Sequence, residues 1–248
     1  RAPLTKTVGQ FFFDNVSTDV SESGDTVNIA TLDNFTANDR TAGSIVDTNT
    51  QTLGVKQITK STYKNAALLI DISDMKSVIM APTQLGRMLE KLRDSIEYAS
   101  ETSIFADCDF TKTTGASDAA IQDSYLREAM AYMNENDYWE ASEMAWFFNS
   151  AAREDLLGID RYTLVDEYGD KNIMEGRIDK LYGAPVYYTN RLPANTGLLA
   201  HESFTAYAHF LNHMDNEYIT IYSSYFVNSL RAQGEVKVRD IGVRILHA

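Results

Sequence analysis

From Asn65 to Cys108 the chain reads NAALLIDISDM, KSVIMAP and then TQLGRMLEKLRDSIEYASETSIFADC, and the arrangement of everything else follows from this stretch. Ala66–Ile70 is an apolar run of strand length that closes on the acidic pair Asp71 and Asp74. Ser73 is placed to cap a short turn over 74–79, and Pro82-Thr83 then punctuates the chain. Beyond that point Leu85, Met88, Leu89, Leu92, Ile96 and Ala99 recur at the i, i+3, i+4, i+7 spacing of one helix face. Arg87, Glu90, Lys91, Arg93, Asp94, Glu97 and Glu101 take the remaining positions, so the spacing predicts a one-sided helix over about 83–106. Its apolar side needs a sheet to cover.

That sheet must be found elsewhere in the chain. Residues 216–248 are strand-like: Tyr218, Thr220 and Tyr222 alternate with Ile219, Ile221 and Ser223. After a break at Gly234, Val236 and Val238 alternate, and Ile241, Val243 and Ile245 follow with a one-residue slip near Asp240. They have no local partner long enough to finish a sheet, which makes Ala66–Ile70 the expected one. The chain is therefore read as α+β, with a discontinuous domain of 63–115 and 215–248 and a region of 116–214 inserted between.

The inserted region predicts a helix over 119–134 and a continuous apolar strand over 143–148, as in a centrally buried strand. Ser150 is expected to cap a helix over 151–157, with Gly158 as its terminating C′ glycine. Ile178–Asn190 reads as strand, Gly-Ala-Pro turn and strand, and Gly197–His209 as a strand followed by a short helix. Upstream, residues 25–62 form two strands around a polar tip, with a possible bulge where alternation slips between Val55 and Ile58. Such a hairpin is marginal alone and is ordered against a partner. Residues 1–24 are a polar arm carrying Phe11, Phe12 and Phe13. These rings must dock on something, their own domain first and a neighbouring subunit second.

Composition narrows the chemistry. A formal charge of -13 and no basic run argue against a nucleic-acid-binding surface, since phosphate contacts need clustered Lys and Arg. No stretch approaches the roughly 18 apolar residues of a membrane span. The single cysteine, Cys108, excludes an internal disulfide framework, and no basic neighbour activates it. No phosphate-binding loop, dinucleotide fingerprint or nucleophile elbow is present, so no cofactor is expected. His209 and His213 at i, i+4 would share one face of a helix, half of a metal site, yet no third ligand accompanies them. Asp71 and Asp74 read more simply as turn and helix N-terminal acids than as a catalytic pair. No active site emerges.

The order of elements carries more information than any motif. An arm, a long hairpin, a strand into ISDM, a long helix, an inserted α/β region and returning strands together resemble the major capsid protein of tailed bacteriophages, the Hong Kong ninety-seven-like fold. Locally, LLIDISDMKSVIM with LGRMLEKLRDSIEYASETSIF resembles that family's strand, turn and spine helix, and AWFFNSAAREDLLGIDRY its buried strand, turn and short helix. IDKLYGAPVYYTNRLP is similar to its G-x-P-V-x-x-[ST]-N-x-[LM]-P segment and is the most specific of these; TAYAH and RDIGVRIL resemble later strands.

The resemblance implies an N-terminal arm at 1–24, an E-loop at 25–62, a P-domain at 63–115 and 215–248, and an A-domain at 116–214. It implies self-assembly into hexamers and pentamers of an icosahedral shell around double-stranded DNA, without a membrane, with scaffolding, portal and decoration proteins as possible partners. Intersubunit contacts would come from Phe11, Phe12 and Phe13 on the arm and from Asp39, Arg40, Lys56 and Lys60 on the E-loop. Some relatives crosslink through Lys and Asn, but no Asn or Glu partner is identifiable for Lys56, Lys60 or Lys64, and that chemistry is not carried over. Three other readings remain at this level: an encapsulin-type nanocompartment shell, an acidic α/β metal-dependent enzyme using His209 and His213, and a phage tail or adhesin component.

Overall fold

The computed structural model describes residues 7–19, 24–31, 54–71, 82–159, 178–219 and 224–248. In chain order these form α1 (Val8–Phe12), β1 (Asp14–Asn15), β2 (Thr26–Thr31), β3 (Gly54–Thr59), β4 (Thr62–Asp71) and α2 (Pro82–Ala106). There follow β5 (Thr113–Gly115), α3 (Asp123–Glu135), β6 (Met144–Phe148), α4 (Ser150–Leu157), β7 (Lys180–Leu181) and β8 (Ala184–Tyr188). The chain closes with β9 (Thr196–His201), β10 (Thr205–Ile219), β11 (Ser224–Lys237) and β12 (Gly242–Leu246).

The long helix forms where its periodicity demands, and Leu92, Ile96, Ile104 and Phe105 are its buried apolar residues. Its covering sheet has the order β1-β10-β11-β4. Strand β4 pairs antiparallel with β11, Leu69 opposite Phe226 and Lys64 opposite Arg231, so Ala66–Ile70 does meet the late chain. The other neighbour of β11 is β10, which the periodicity reading recognised only from position 216 on. The residue pattern reads TAYAH as a short helix and the family resemblance reads it as a strand; only Glu202–Phe204 makes one helical turn, and Thr205 onward is extended, as the resemblance implied. The error has a physical cause: Thr205, Ala206, Tyr207 and Ala208 are all buried, so both faces are covered and no period-2 alternation appears.

The second sheet runs β5-β12-β9-β6-β8-β7. Every residue of β6 is buried, as MAWFF requires of an interior strand. Strand β12 pairs antiparallel with β9 and parallel with β5, not with β4, and β10 runs through position 215. The slip near Asp240 is thus the break between β11 and β12. Three local expectations also shift. Asn149, not Ser150, caps α4 by accepting the Ala152 N–H at 2.8 Å, and Gly158 has an ordinary right-handed φ of -77°. The turn between β7 and β8 is Tyr182-Gly183, with φ of 52° and 88°, while Ala184 and Pro185 lie in the strand.

The hairpin base explains the alternation slip without a bulge. Strands β2 and β3 pair in unbroken register, Val27 opposite Ile58 and Ala30 opposite Val55. Val27 and Ile58 bury against Ala206 and Ala208, while Val55 faces outward. Gly234 lies inside β11 rather than at a break, because a Cβ there would stand 2.2 Å from the Thr59 carbonyl oxygen. Gly234→Ala is therefore expected to destabilise the chain by about 2 kcal/mol through overpacking. Gly86→Ala, on α2 with nothing within 4 Å of the new Cβ, should stabilise it by up to about 1 kcal/mol. Urea unfolding of the two variants checks the pair.

Candidate assembly surface

The arm is built into the body as a strap. Helix α1 has only 5 residues, and Thr7 makes no side-chain cap bond. Instead the Gly9 N–H donates to Glu101 Oε1 on α2 at 2.8 Å. Gln10 Nε2 donates to the Glu97 carbonyl at 3.1 Å, and the Tyr207 hydroxyl donates to the Gln10 carbonyl at 2.6 Å. Strand β1 then pairs in parallel with β10, Asp14 opposite Ala206. Val16 N–H reaches the Tyr207 carbonyl at 3.0 Å, and the His209 N–H donates to Ser17 Oγ at 2.9 Å.

The three phenylalanines separate. Phe13, 3% exposed, stacks on Phe147 at 5.8 Å, and Phe12 meets the same ring edge-on at 5.3 Å. Those two dock on their own domain, and the burial of Phe13 corrects its expectation as a contact offered to a neighbour. Phe11 is 83% exposed and remains the arm's outward knob. On the hairpin, Lys56 is exposed. Lys60 is engaged at home, its Nζ 3.3 Å from Asp25 Oδ1 and 5.6 Å from the centre of the Tyr63 ring. Asp39 and Arg40 lie outside the described residues, as do Ser73 and Asp74.

Beneath the strap, α2 meets the sheet through a charge pair that sequence reading did not single out. Arg231 is buried and grips Glu97 bidentately, Nη1 to Oε2 at 2.7 Å and Nη2 to Oε1 at 2.6 Å. The Arg231 hydrogen bonds, against the cost of burial, hold the Glu97 carboxyl below its usual range. Gln233 Nε2 adds a bond to the Ser100 carbonyl at 3.3 Å. The available signal was an arginine in the otherwise neutral run NSLRAQG.

The two histidines do not share a site. Both lie on β10 with a register shift between them, His209 opposite Gln233 and His213 opposite Leu230. Gln233 and Leu230 are three residues apart on one strand, so the imidazoles project from opposite faces. His213 bonds Asp215 at 2.7 Å. Among the described residues, no group of three or more His, Cys, Asp or Glu could hold a metal ion. Burial, with Arg231 adding to it, pushes His209 down to about 4, so the folded chain holds this ring neutral. Its stabilising contribution is full above the ordinary value of 6.5 and is lost as pH falls towards about 4. Melting temperature should therefore fall less steeply between pH 6 and 4 in His209→Phe than in the wild type.

Cys108 is buried, its thiol donating to the Ile104 carbonyl at 3.4 Å, and burial pushes the thiol far up, as befits an unreactive core residue. Asp107 is pushed up by burial, and Asp109 Oδ1 lies 3.5 Å from Arg244 Nη1. Large apolar side chains are exposed at Tyr63 and Leu69 on β4, and at Met214, Tyr218 and Tyr225 towards the far end of the β10–β11 pair. The two tyrosines pack on one another, with ring centres 5.3 Å apart. Among the described residues β4 pairs with β11 alone, so it is a sheet edge carrying outward apolar groups, a composition that marks contact surfaces. No described helix is long and apolar enough to cross a membrane.

No protein-family model and no curated protein matches the sequence. Solved structures do match. A chain of Mycobacterium phage Che8 superposes with a TM-score of 0.76 at 17% identity, over 97% of this chain and 91% of that one. The capsid structure of the cyanophage P-SCSP1u gives 0.74 at 12% identity, over 96% and 86%. The head structure of the Helicobacter pylori bacteriophage KHP40 gives 0.70 at 11%, over 100% and 92%. The fold is that of tailed-phage capsid chains. At such identities the likeness resides in element order and pairing rather than in particular side chains. Among the described residues, Phe11 on the strap and Lys56 on the hairpin base join the β4 edge and the β10–β11 end as outward positions that the chain itself leaves uncovered.

Proposed function

We propose that the chain is a major capsid protein that self-assembles into hexamers and pentamers of an icosahedral shell around the double-stranded DNA of a tailed bacteriophage. The observation that carries this reading is the superposition on phage capsid chains along nearly the full length of both partners. The geometry adds support. A subunit that works by association needs a stiff frame and uncovered apolar surface, and here α2 clamped to its sheet through Arg231 supplies the first and Phe11, Tyr63 and Leu69 the second. A charge of -13 suits an enclosure that holds DNA without binding it specifically.

In this reading residues 1–24 are the arm, 25–62 the E-loop, 63–115 with 215–248 the P-domain around α2, and 116–214 the A-domain. Phe11, Asp39, Arg40 and Lys56 contact neighbouring subunits. Scaffolding, portal and decoration proteins are the further partners, assembly takes place in the host cytoplasm, and the finished protein resides in the virion. The test is expression of the chain alone and with a scaffold, followed by electron microscopy and analysis of the particle contents. Closed shells are expected. A monomer under all conditions, or open tubes and rings, would overturn the reading, and shells filled with an enzyme rather than DNA would make it a nanocompartment.

A further inference from the structure

Helix α1 does not cap itself. Its Gly9 N–H is satisfied by a carboxylate 92 residues away, and that carboxylate, Glu101, is only 1% exposed. A buried ionised carboxyl needs a close cation, and this one lacks such a partner among the described ion pairs. The groups facing it are few. Glu97, one turn earlier on α2, repels it, while Arg191 in the segment after β8 attracts it from a distance. Arg191 itself is stacked over the Tyr98 ring at 4.2 Å. Strand β10 brings Tyr207 and His209 to this region, and Arg231 of β11 is committed to Glu97. The charged residues on the described strap are Asp14 and Asp19, so the strap supplies no cation.

The same strap is what seals the aromatic floor. Phe13 covers Phe105, Phe147 and Phe204, with ring centres at 6.2, 5.8 and 6.3 Å. Lifting residues 7–19 would return Glu101 to water and expose those rings together. We propose that the strap is a proton-linked latch, in which uptake of a proton by Glu101 favours the closed state and loss of it favours release. On protonation one carboxyl oxygen takes the proton from solvent, and the other goes on accepting the Gly9 N–H. The direction follows from burial, which pushes the Glu101 carboxyl above its usual range despite the opposing backbone bonds and Arg191. A group whose closed-state affinity for protons is raised stabilises closure as pH falls through that range, and this stabilisation fades as pH rises. His209 sets the acid limit, since charging it beside Arg231 undermines the floor near pH 4.

Hydrogen exchange of the full chain, resolved by peptide from pH 5 to 8 and corrected for intrinsic exchange, tests the latch. In the wild type, protection of the strap amides is expected to be lost as pH rises across that range, because the closed state binds the proton more tightly than the open one. In Glu101→Gln, a neutral acceptor, strap protection should be high and flat with pH. In Glu101→Leu it should be low and flat, with the β6 and β9 amides still protected. Wild-type strap protection that does not vary with pH, a Gln variant that follows the wild-type profile, or a Leu variant with an intact strap each overturns the proposal. If the Leu variant fails to fold, the Gln profile alone decides.

Discussion

Arg231→Met should lower the unfolding free energy by about 3 kcal/mol, because it strands Glu97 as an uncompensated charge under the strap. The guanidinium lies almost fully buried between β11 and α2 and makes both of its short bonds to one carboxylate. Adding Glu97→Leu removes the stranded charge, so the double variant should recover most of the loss, the usual result when a buried pair is replaced by apolar residues of similar size. Urea unfolding of the two single variants and the double measures the coupling directly. A simple sum of the single effects would mean that the pair does not clamp the helix to the sheet. Because Glu97 also holds Gln10 through its carbonyl, which no side-chain change removes, the strap should stay in place in the double variant.

Phe147→Ala carries the other large effect, an expected loss of about 4 kcal/mol. Phe147 is fully buried in β6, and its ring meets Phe12 at 5.3 Å, Phe13 at 5.8 Å, Phe105 at 5.4 Å and Tyr187 at 5.6 Å. Its removal opens a cavity where strap, helix and second sheet meet, so strap amides should exchange faster even where the remainder of the fold persists. Phe11→Ala is the counterpart. That side chain is mostly in solvent, so unfolding of the isolated chain should change by less than about 0.5 kcal/mol. Under the capsid reading its loss should instead appear as a lower yield of closed particles in electron micrographs. An unchanged yield would remove Phe11 from the contact surface.

These two sites mark how differently the chain's parts were legible. The apolar half of Phe147's surroundings was readable, since EMAWFF announces a strand with both faces covered. The strap's destination was readable only as a choice, because three consecutive phenylalanines must dock somewhere but carry no direction. It took the ring of Phe105 and the carboxylate of Glu101 to send Phe12 and Phe13 inward and leave Phe11 outside. Glu101 itself reads as a solvent-facing position on α2, and nothing in its spacing signals that a second segment will bury it.

By itself the sequence determined what depends on near neighbours along the chain. The period of Leu92 and Ile96 placed α2, the run Ala66–Ile70 placed β4, and the lack of a local partner required the late chain to return to it. It also weighed against nucleic-acid binding through charge, a property of composition, but it left the His209 and His213 metal reading open until the β10 register separated them. Only the tertiary structure decided which faces close on which. Thr205–Ala208 is buried on both sides and so shows no alternation, Gly234 is small because the Thr59 carbonyl passes over it, and Arg231 and Glu97 pair across 134 positions. The difference is one of range: hydrophobic periodicity is a local record of a single covered face, whereas double coverage, close backbone approach and buried charge pairing arise only when segments distant in the chain share one surface.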